Sequence, residues 1–172
     1  MTQDLKSFIA DVPDFPKPGI MFRDISPLLK SPEAFRRVVD LMAKEVSEQK
    51  VASIVAIESR GFLFGAPVAH IVGIPLVVVR KPGKLPGDIV KIEYGLEYGS
   101  DTLELKHGLI EAGSKVAIVD DVLATGGTAR ATGDLIQKVG ASVGSYLFLV
   151  ELLGLGGRDK LGEGKVVSLV QY

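Results

Sequence analysis

An acidic pair followed by a glycine-rich turn is the part of this sequence best suited to chemistry. Asp120 and Asp121 follow the apolar run 116–119, and the turn 125–128 reads Thr-Gly-Gly-Thr. Adjacent glycines let backbone N–H groups close around an anion, and threonine hydroxyls add donors. A helix that starts at this turn supplies roughly half a positive charge at its N-terminus. These features predict a phosphate cradle that needs no lysine.

The two carboxylates beside this cradle favour a ligand that carries hydroxyl groups as well as phosphate. Carboxylates repel phosphate, but they accept hydrogen bonds from the paired hydroxyls of a ribose. An acidic pair alone, or Gly-Gly alone, fits an ordinary strand-to-helix turn with an Asp cap. Together they favour a sugar-phosphate site. The sequence contains neither Gly-x-x-x-x-Gly-Lys-Ser/Thr nor Gly-x-Gly-x-x-Gly, the patterns of nucleotide-hydrolysing and dinucleotide-binding folds.

Alternating helices and strands position this turn. Ser31, Pro32 and Glu33 form a helix start ahead of apolar residues at helical spacing, and Gly73 and Gly140 are suited to end later helices. The predicted helices are 31–48, 62–72 and 128–139, and the predicted buried strands are 51–57, 74–79, 115–119 and 143–150. Such alternation predicts a parallel α/β sheet, whose ligands sit at the carboxyl ends of the strands.

Length and composition predict one globular domain, 1–172. The chain has 172 residues, 47% hydrophobic and 24% charged, with a net charge of -1 and no cysteine. The absence of cysteine excludes disulfides and thiolate metal sites. The net charge of -1 provides no overall electrostatic attraction for nucleic acid or an anionic membrane. The N-terminus has no signal-peptide pattern, and the apolar stretch 68–79 is shorter than the roughly 20 residues of a membrane helix. We therefore expect a cytoplasmic location.

The segment 80–99 differs in composition, because it is rich in glycine, proline and charge. Such segments inside a compact domain are usually functional lids or disordered tips, and we interpret this one as a lid. Residues 92–94 and 102–105 are predicted to pair as short antiparallel strands, which extends the lid region to about residue 106. Glu-Tyr-Gly occurs twice, at 93–95 and 97–99.

The segment 116–128 resembles the phosphoribosyl-pyrophosphate signature of the type I phosphoribosyltransferases, and further motifs resemble the adenine-specific branch of that family. These motifs are Phe-Pro-x-Pro-Gly-x-x-Phe-Arg-Asp-Ile-Ser-Pro at 15–27, Glu-Ser-Arg-Gly-Phe at 58–62, Arg-Lys-Pro-Gly-Lys-Leu-Pro-Gly at 80–87, Leu-Glu-Tyr-Gly at 96–99, and Val-Glu-Leu at 150–152 with Gly-Arg at 157–158. The resemblance runs from about residue 12 to the end. It implies a Rossmann-like parallel sheet flanked by helices, a flexible lid loop, and a small hood built from the N-terminal segment and C-terminal part.

The implied reaction transfers the phosphoribosyl group of phosphoribosyl pyrophosphate to adenine, giving AMP and pyrophosphate. The resemblance also implies a homodimer, and Mg²⁺ that is carried by the substrate and has no direct protein ligand. The implied ribose and 5′-phosphate residues are Asp120, Asp121, Ala124, Thr125, Gly126, Gly127 and Thr128. The implied pyrophosphate residues are Ser59, Arg60, Arg80, Lys81 and Lys84, and the implied adenine residues are Phe22, Arg23 and Leu152.

The resemblance assigns the acid–base role to Glu97 and lid closure to Tyr98. Breaking a glycosidic bond to pyrophosphate needs a cationic clamp on the leaving group and one group to manage the purine ring proton. Glu93 is the alternative, since it lies on the same face if both acids are on one strand. We favour Glu97 because Leu96 precedes it and the family motif continues through 102–105.

Several alternatives remain at this point. The lid cations also fit a solvated basic loop, and a phenylalanine such as Phe22 usually belongs to a core. A phosphoribosyltransferase for guanine, xanthine or orotate is the main rival, but those families lack the motifs at 22–27 and 96–99. A regulator that senses phosphoribosyl pyrophosphate is a second rival, but it would usually add a nucleic-acid-binding segment or a basic face.

Overall fold

The structure is a computed structural model that describes residues 4–95 and 100–172. Its strands are β1 (Ala10–Val12), β2 (Phe22–Asp24), β3 (Ser53–Ile57), β4 (Leu76–Arg80), β5 (Ile89–Gly95), β6 (Ser100–Lys106), β7 (Lys115–Leu123), β8 (Ser142–Glu151) and β9 (Lys165–Gln171). Its helices are α1 (Ser26–Lys30), α2 (Pro32–Gln49), α3 (Gly61–Val72) and α4 (Gly127–Lys138), and short 3₁₀ turns span Leu5–Phe8, Leu153–Leu155 and Gly157–Lys160.

The main sheet has seven strands in the order β5-β6-β4-β3-β7-β8-β9. Strands β4, β3, β7, β8 and β9 run parallel, and the hairpin β5–β6 adds an antiparallel edge to β4. Strands β1 and β2 form a separate antiparallel pair. The predicted α/β class with a parallel sheet is therefore confirmed. The order places β3 and β7 side by side, so their carboxyl ends meet at one edge.

Helices cover both faces of this sheet. On one face α2 and α3 pack with β3, β7 and β8, and on the other α4 and the hairpin pack against the opposite sides of those strands. The predicted helix starts and ends are confirmed to within a residue or two. The Ser31 hydroxyl accepts from the N–H of Ala34 at 3.3 Å, and Gly73 ends α3 with φ 73°. None of the helices in the described part of the chain is long and apolar enough to cross a membrane.

Four elements were not predicted from the sequence: β1, β2, α1 and β9. Strand β9 carries four apolar residues, but Ser168 divides them into two pairs, and only Val170 is buried. It therefore differs from the continuous apolar runs of the central strands. Strand β4 was predicted to be buried, but Leu76 is 39% exposed; β6 pairs only with Val79 and Arg80 at the other end of β4. Strand β7 runs beyond the predicted end at residue 119 and includes Asp120 and Asp121.

The region predicted to be a lid is partly built into the sheet. Val90 and Ile92 of β5 pack against the core, and Leu103 and Leu105 of β6 are buried. The hairpin part of the region interpreted as a lid is therefore packed against the core. The preceding segment 81–88 has no helix or strand. The tip 96–99 lies outside the described residues.

Candidate active site

A cleft of about 520 Å³ opens at the carboxyl ends of β3, β7 and β8. It is lined by Ile20, Met21, Phe22, Arg23, Glu58, Ser59, Arg60, Lys81, Asp120, Asp121, Val122, Ala124, Thr128, Leu152 and Leu155. A smaller hollow of about 90 Å³ adjoins it, lined by residue 120 and residues 122–129. This is the edge at which a parallel α/β sheet binds ligands.

The smaller hollow is the predicted phosphate cradle. The chain leaves β7 at Leu123 and enters α4 at Gly127, and Gly126 turns the corner with φ 80°. That left-handed conformation is unfavourable for residues with a side chain. A methyl group on Gly127 would meet nothing closer than the Tyr94 ring at 4.0 Å, so the space in front of the helix N-terminus is open. The turn can therefore admit an anion next to the helix dipole.

The acidic pair lies at the junction of cleft and cradle. Burial raises the pKa of Asp120, and the neighbouring charge of Asp121 raises it further. Burial also raises the pKa of Asp121, against the influence of Arg60. Within residues 4–95 and 100–172, Oδ2 of Asp121 is buried and accepts no hydrogen bond, although Nε of Arg60 lies 2.9 Å away as an ion pair. This oxygen is suited to receive a donor from a ligand.

Arg60 is held at this position by the start of α3. A methyl group on Gly61 would lie 2.6 Å from the carbonyl oxygen of Val119 and 3.1 Å from Oδ1 of Asp120. Glycine is thus required for α3 to approach the end of β7 so closely. The peptide bond between Glu58 and Ser59, which precedes Arg60, is cis.

Glu58 forms ion pairs with the basic side chains at the start of the lid region. Its Oε2 accepts from Nε of Arg80 at 3.3 Å and from the backbone N–H of Lys81 at 2.9 Å, and Lys84 pairs with its Oε1. Burial acts to raise the pKa of Glu58, but the hydrogen bonds from Lys84, Lys81 and Arg80 outweigh it and lower the pKa to about 2. The carboxylate therefore remains charged and fixes these basic groups beside the cleft.

The hairpin supplies partners for both sides of the site. Asp101 forms an ion pair with Lys81, and its Oδ2 lies 3.3 Å from the Tyr94 hydroxyl. The same hydroxyl lies 3.3 Å from Oγ1 of Thr128 in the cradle. Strand β5 therefore contacts the first turn of α4 directly.

The apolar end of the cleft combines β2 with the segment after β8. Phe22 packs edge-on against Phe15, with ring centroids 5.1 Å apart, and the Arg60 guanidinium lies 5.4 Å from its ring centroid. The Arg23 side chain pairs with Asp11 through Nη1 and lies 3.7 Å over the Tyr172 ring, while its buried Nε has no hydrogen-bond partner among the described residues. The cleft can accept a flat apolar group beside Phe22.

The structure brings most of the predicted site residues together. Those that line the cleft or the cradle are Phe22, Arg23, Ser59, Arg60, Lys81, Asp120, Asp121, Ala124, Thr125, Gly126, Gly127, Thr128 and Leu152. Arg80 and Lys84 lie behind the cleft, on Glu58. Glu97 and Tyr98 lie outside the described residues. Glu93 is exposed, and it borders a separate depression together with Lys91 and Lys138.

Several residues with evident roles at the site were not predicted from the sequence. Glu58 and Asp101 hold the basic side chains, and Met21 and Leu155 complete the cleft wall. The excess of cations around residues 80–84 could have suggested acidic partners, because buried charges are normally paired. Gly157 and Arg158 belonged to a recognised motif, but no role was assigned to them.

Within the described residues, no group of three or more acidic, histidine or cysteine side chains is placed to hold a metal ion. The cleft offers the neighbouring pair Asp120 and Asp121. Mg²⁺ is commonly held by one or two carboxylates together with substrate phosphates. The available oxygen donors therefore fit a magnesium ion that is bound mainly by a phosphorylated substrate.

The fold and the site define an α/β protein with an acidic pair and a glycine-rich strand-to-helix turn beside an apolar cleft. The model of the phosphoribosyl transferase domain matches residues 24–161. An adenine phosphoribosyltransferase from Carboxydothermus hydrogenoformans is 56% identical, over 98% of this chain and 99% of that protein. The crystal structure of the adenine phosphoribosyltransferase from Thermoanaerobacter pseudethanolicus is 47% identical, with a TM-score of 0.94 and 98% of each chain covered. That of the Saccharomyces cerevisiae enzyme, complexed with an imino-altritol bisphosphate and adenine, is 43% identical, with a TM-score of 0.92 and 97% of each chain covered. The chain therefore belongs to the phosphoribosyl transferase family and, within it, to the adenine phosphoribosyltransferases.

Proposed function

We propose that this protein catalyses the transfer of the 5-phosphoribosyl group from phosphoribosyl pyrophosphate to adenine, giving AMP and pyrophosphate in purine salvage. The observation that carries the proposal is the buried oxygen Oδ2 of Asp121, which accepts no hydrogen bond within the described chain and lies between a phosphate cradle and an apolar cleft. A ribose 5-phosphate that donates a hydroxyl to this oxygen would place its phosphate towards the cradle.

The cradle would bind the 5′-phosphate with backbone N–H groups of the turn 125–127, the hydroxyls of Thr125 and Thr128, and the N-terminus of α4. This mode of binding uses oriented amides and the helix dipole in place of a lysine. Asp120 and Asp121 would then hold the 2′- and 3′-hydroxyls. The carboxylates serve the ribose well only if they are ionised, since the charged form is an acceptor at both oxygens.

Pyrophosphate would lie on the side of Ser59, Arg60 and Lys81. Arg60 and Lys81 are paired with Asp121 and Asp101 in the structure. Both would have to exchange an acidic partner for phosphate oxygens when the substrate binds. Arg80 and Lys84 share the single carboxylate of Glu58, so this group of three side chains keeps an excess of positive charge near that side of the cleft. A magnesium ion that arrives on the pyrophosphate would neutralise further charge.

The reaction breaks the bond between C1′ and the pyrophosphate oxygen and forms a bond between C1′ and a purine ring nitrogen, which loses its proton. Positive charge develops on the sugar and negative charge on pyrophosphate. The cations on the pyrophosphate side stabilise the leaving group where its charge develops. Glu97 is the proposed acceptor of the purine proton, and Tyr98 is proposed to close the site.

Adenine would occupy the apolar end of the cleft, against the Phe22 ring on one side and Leu152 on the other. Backbone groups of the segment at Phe22 and Arg23 would read the edge of the base. The Arg23 side chain is not proposed as the reader, because Asp11 and the Tyr172 ring already hold it.

The test is AMP formation by the purified protein from adenine, phosphoribosyl pyrophosphate and Mg²⁺, compared with product formation from hypoxanthine, guanine, xanthine and orotate. The proposal expects turnover with adenine and little with the other bases. Faster turnover with another base would support the rival base specificity. Binding of phosphoribosyl pyrophosphate without turnover of any base would favour a sensor. We also propose a homodimer and a cytoplasmic location, for which light scattering on the purified protein and localisation of a tagged copy are the measurements.

A further inference from the structure

The phosphate cradle packs, backbone against backbone, on a glycine from a different segment, Gly157, which begins the 3₁₀ turn Gly157–Lys160. A methyl group on Gly126 would lie 2.4 Å from the carbonyl oxygen of Gly157. Conversely, a methyl group on Gly157 would lie 2.2 Å from the carbonyl oxygen of Ala124 and 2.9 Å from the amide nitrogen of Gly126. No other amino acid fits at either position without movement of the backbone. The shape of the cradle therefore depends on where Gly157 is held.

Arg158, the next residue, fixes that position. Its Nε donates to Oε1 of Glu151 at 2.8 Å and its Nη2 donates to Oε2 at 2.6 Å, a two-point contact with one carboxylate. Its Nη1 also donates to the carbonyl oxygen of Val166 at 3.0 Å. A bidentate arginine–carboxylate pair is stronger and more directional than a single ion pair.

Glu151 is itself fixed to the strand that leads into the cradle. In the sheet register Glu151 of β8 is the partner of Leu123, the last residue of β7, and the N–H of Leu152 donates to the carbonyl oxygen of Leu123 at 2.9 Å. The Glu151 side chain is 3% exposed and also accepts from Nε2 of Gln171 at 3.1 Å. The hydrogen bond from Arg158 is the main cause that lowers the pKa of Glu151 to about 2, so the carboxylate remains charged.

These contacts close a ring around the cradle. The chain runs from Leu123 through Gly126, across the glycine contact to Gly157, through Arg158 to Glu151, and back to Leu123 across the sheet. Every link joins backbone or nearly buried groups, apart from Arg158, whose side chain is 40% exposed. A substitution of Arg158 would therefore remove the ion pair with Glu151 and disturb the core less than a change at any other point of the ring.

We infer that Arg158 and Glu151 are positioning residues for the 5′-phosphate. Their ion pair holds Gly157 against the turn 124–126, and this contact sets the spacing of the backbone amides that receive the phosphate. The inference rests on the proposed function of the cradle and deepens it. Neither residue touches the ligand. Opening the pair would let the cradle relax, and small displacements of positioning groups are costly to binding and catalysis.

The experiment compares Arg158→Gln and Arg158→Lys with the wild type by calorimetric titration of ribose 5-phosphate and, separately, of pyrophosphate. We expect the affinity of Arg158→Gln for ribose 5-phosphate to fall on the order of 10- to 100-fold, with little change for pyrophosphate, which binds away from Gly157. Arg158→Lys keeps the charge but loses the two-point contact, so an intermediate loss is expected. The Michaelis constant for phosphoribosyl pyrophosphate should increase from the wild type to Arg158→Lys and further to Arg158→Gln.

The matched control is Lys165→Gln. Lys165 also forms an ion pair from the C-terminal part of the chain, with Glu45 at 2.6 Å, and it lines neither cavity. It reports the effect of losing an ion pair as such, and its affinity for ribose 5-phosphate should equal that of the wild type. Thermal unfolding of all variants separates loss of stability from loss of affinity.

The outcomes are distinct. Variants at Arg158 that melt at a lower temperature but bind ribose 5-phosphate as the wild type does would overturn the inference, because the pair would then serve stability alone. Failure of both variants to fold would overturn it for the same reason. A wild-type protein that binds neither ribose 5-phosphate nor phosphoribosyl pyrophosphate would instead contradict the proposed function.

Discussion

Arg60 and Asp121 form an ion pair in the wall of the cleft, with Nε of the arginine 2.9 Å from Oδ2 of the aspartate. The cation proposed for pyrophosphate is thus paired with an acid proposed for ribose. The pair keeps a buried carboxylate from being an isolated charge, which would be costly. It also means that substrate binding must replace an existing contact, so the net gain is smaller than that of a free cation.

The first prediction concerns Arg60→Gln. A hydrogen bond to a charged group contributes about 1.5–3 kcal/mol, so the Michaelis constant for phosphoribosyl pyrophosphate should rise about 10- to 100-fold. Because Arg60 lowers the pKa of Asp121 against the effect of burial, its removal should raise that pKa further. Asp121 then stays protonated to a higher pH, so the defect should grow as pH falls.

Steady-state kinetics at several pH values measure both effects. Arg130→Gln is the control, because Arg130 also pairs with an aspartate, Asp134, and has a similar exposure of 47% against 40% for Arg60. A defect of equal size in the two variants would assign the effect to general electrostatics rather than to the site.

The second prediction distinguishes the two glycines of the cradle. At Gly127 a Cβ atom would meet nothing closer than the Tyr94 ring at 4.0 Å, so Gly127→Val should fold but occupy the space of the 5′-phosphate and abolish binding of phosphoribosyl pyrophosphate. At Gly126 even a methyl group meets Gly157 at 2.4 Å and the φ of 80° is unfavourable, so Gly126→Ala should unfold at a lower temperature. Calorimetry and thermal melting test the pair. Normal substrate affinity in Gly127→Val would rule out the cradle.

The third prediction is a dependence of stability on pH at Glu58. Its pKa is lowered from 4.5 to about 2, so the folded protein favours the charged carboxylate. This contribution to the free energy of unfolding is complete above the unfolded pKa and is lost as pH falls from about 4.5 towards 2. Glu58→Gln removes it and leaves Arg80 and Lys84 without their shared partner.

Urea unfolding of wild type and Glu58→Gln at a series of pH values provides the measurement. The difference in unfolding free energy between the two proteins should be largest near neutral pH and should shrink through this acid range. A difference that stays constant from pH 7 to pH 3 would show that the ion pairs of Glu58 do not stabilise the fold.

Much of the fold follows from patterns that need only local chemistry. The run of buried β-branched residues in β3 and the capping Ser31 of α2 are read directly, since burial on both faces and a side-chain cap leave clear marks. Strand β1 was not predicted because it has three residues, two of them exposed. Strand β9 was not predicted because Ser168 divides its apolar residues into two pairs, which form neither a continuous run nor an alternation. Their place in the fold depends on partners distant in sequence.

The candidate site likewise has a part that the sequence predicts and a part that only the structure reveals. The cradle and the acidic pair are contiguous in sequence, so the segment itself indicates their joint use. The contacts of Glu58 with Arg80, or of Arg158 with Glu151, depend on side-chain positions that no spacing rule supplies. The region predicted to be a lid contains features of both kinds. Its composition identified an unusual segment, but the burial of Leu103 and Leu105 could be known only from the pairing of β6 with β4.

The fourth prediction concerns the segment 80–99, which we expect to become ordered when ligand is present. Residues in β5 already have partners in β6, and the N–H groups of Lys81 and Gly83 already donate to Glu58 and Glu104. The gain in protection of amide hydrogens on addition of AMP should therefore be concentrated in 84–88. Segments without paired backbone groups exchange fastest and therefore have most to gain. Hydrogen exchange followed by mass spectrometry, with and without AMP, is the measurement. Equal protection in both states would show that the segment is a fixed part of the structure.

The fifth prediction decides between the two glutamates of the repeated Glu-Tyr-Gly motif. General acid–base assistance is typically worth about 10²–10⁴-fold, so Glu97→Gln should lower the turnover number by about that factor with little change in substrate affinity. Glu93→Gln should be nearly silent, because Glu93 is exposed, accepts from the Ser100 hydroxyl at 2.6 Å, and borders the depression beside Lys91 rather than the cleft. Steady-state rates of both variants, each checked by thermal melting, settle the assignment. A larger loss of turnover in Glu93→Gln than in Glu97→Gln would transfer the acid–base role to Glu93.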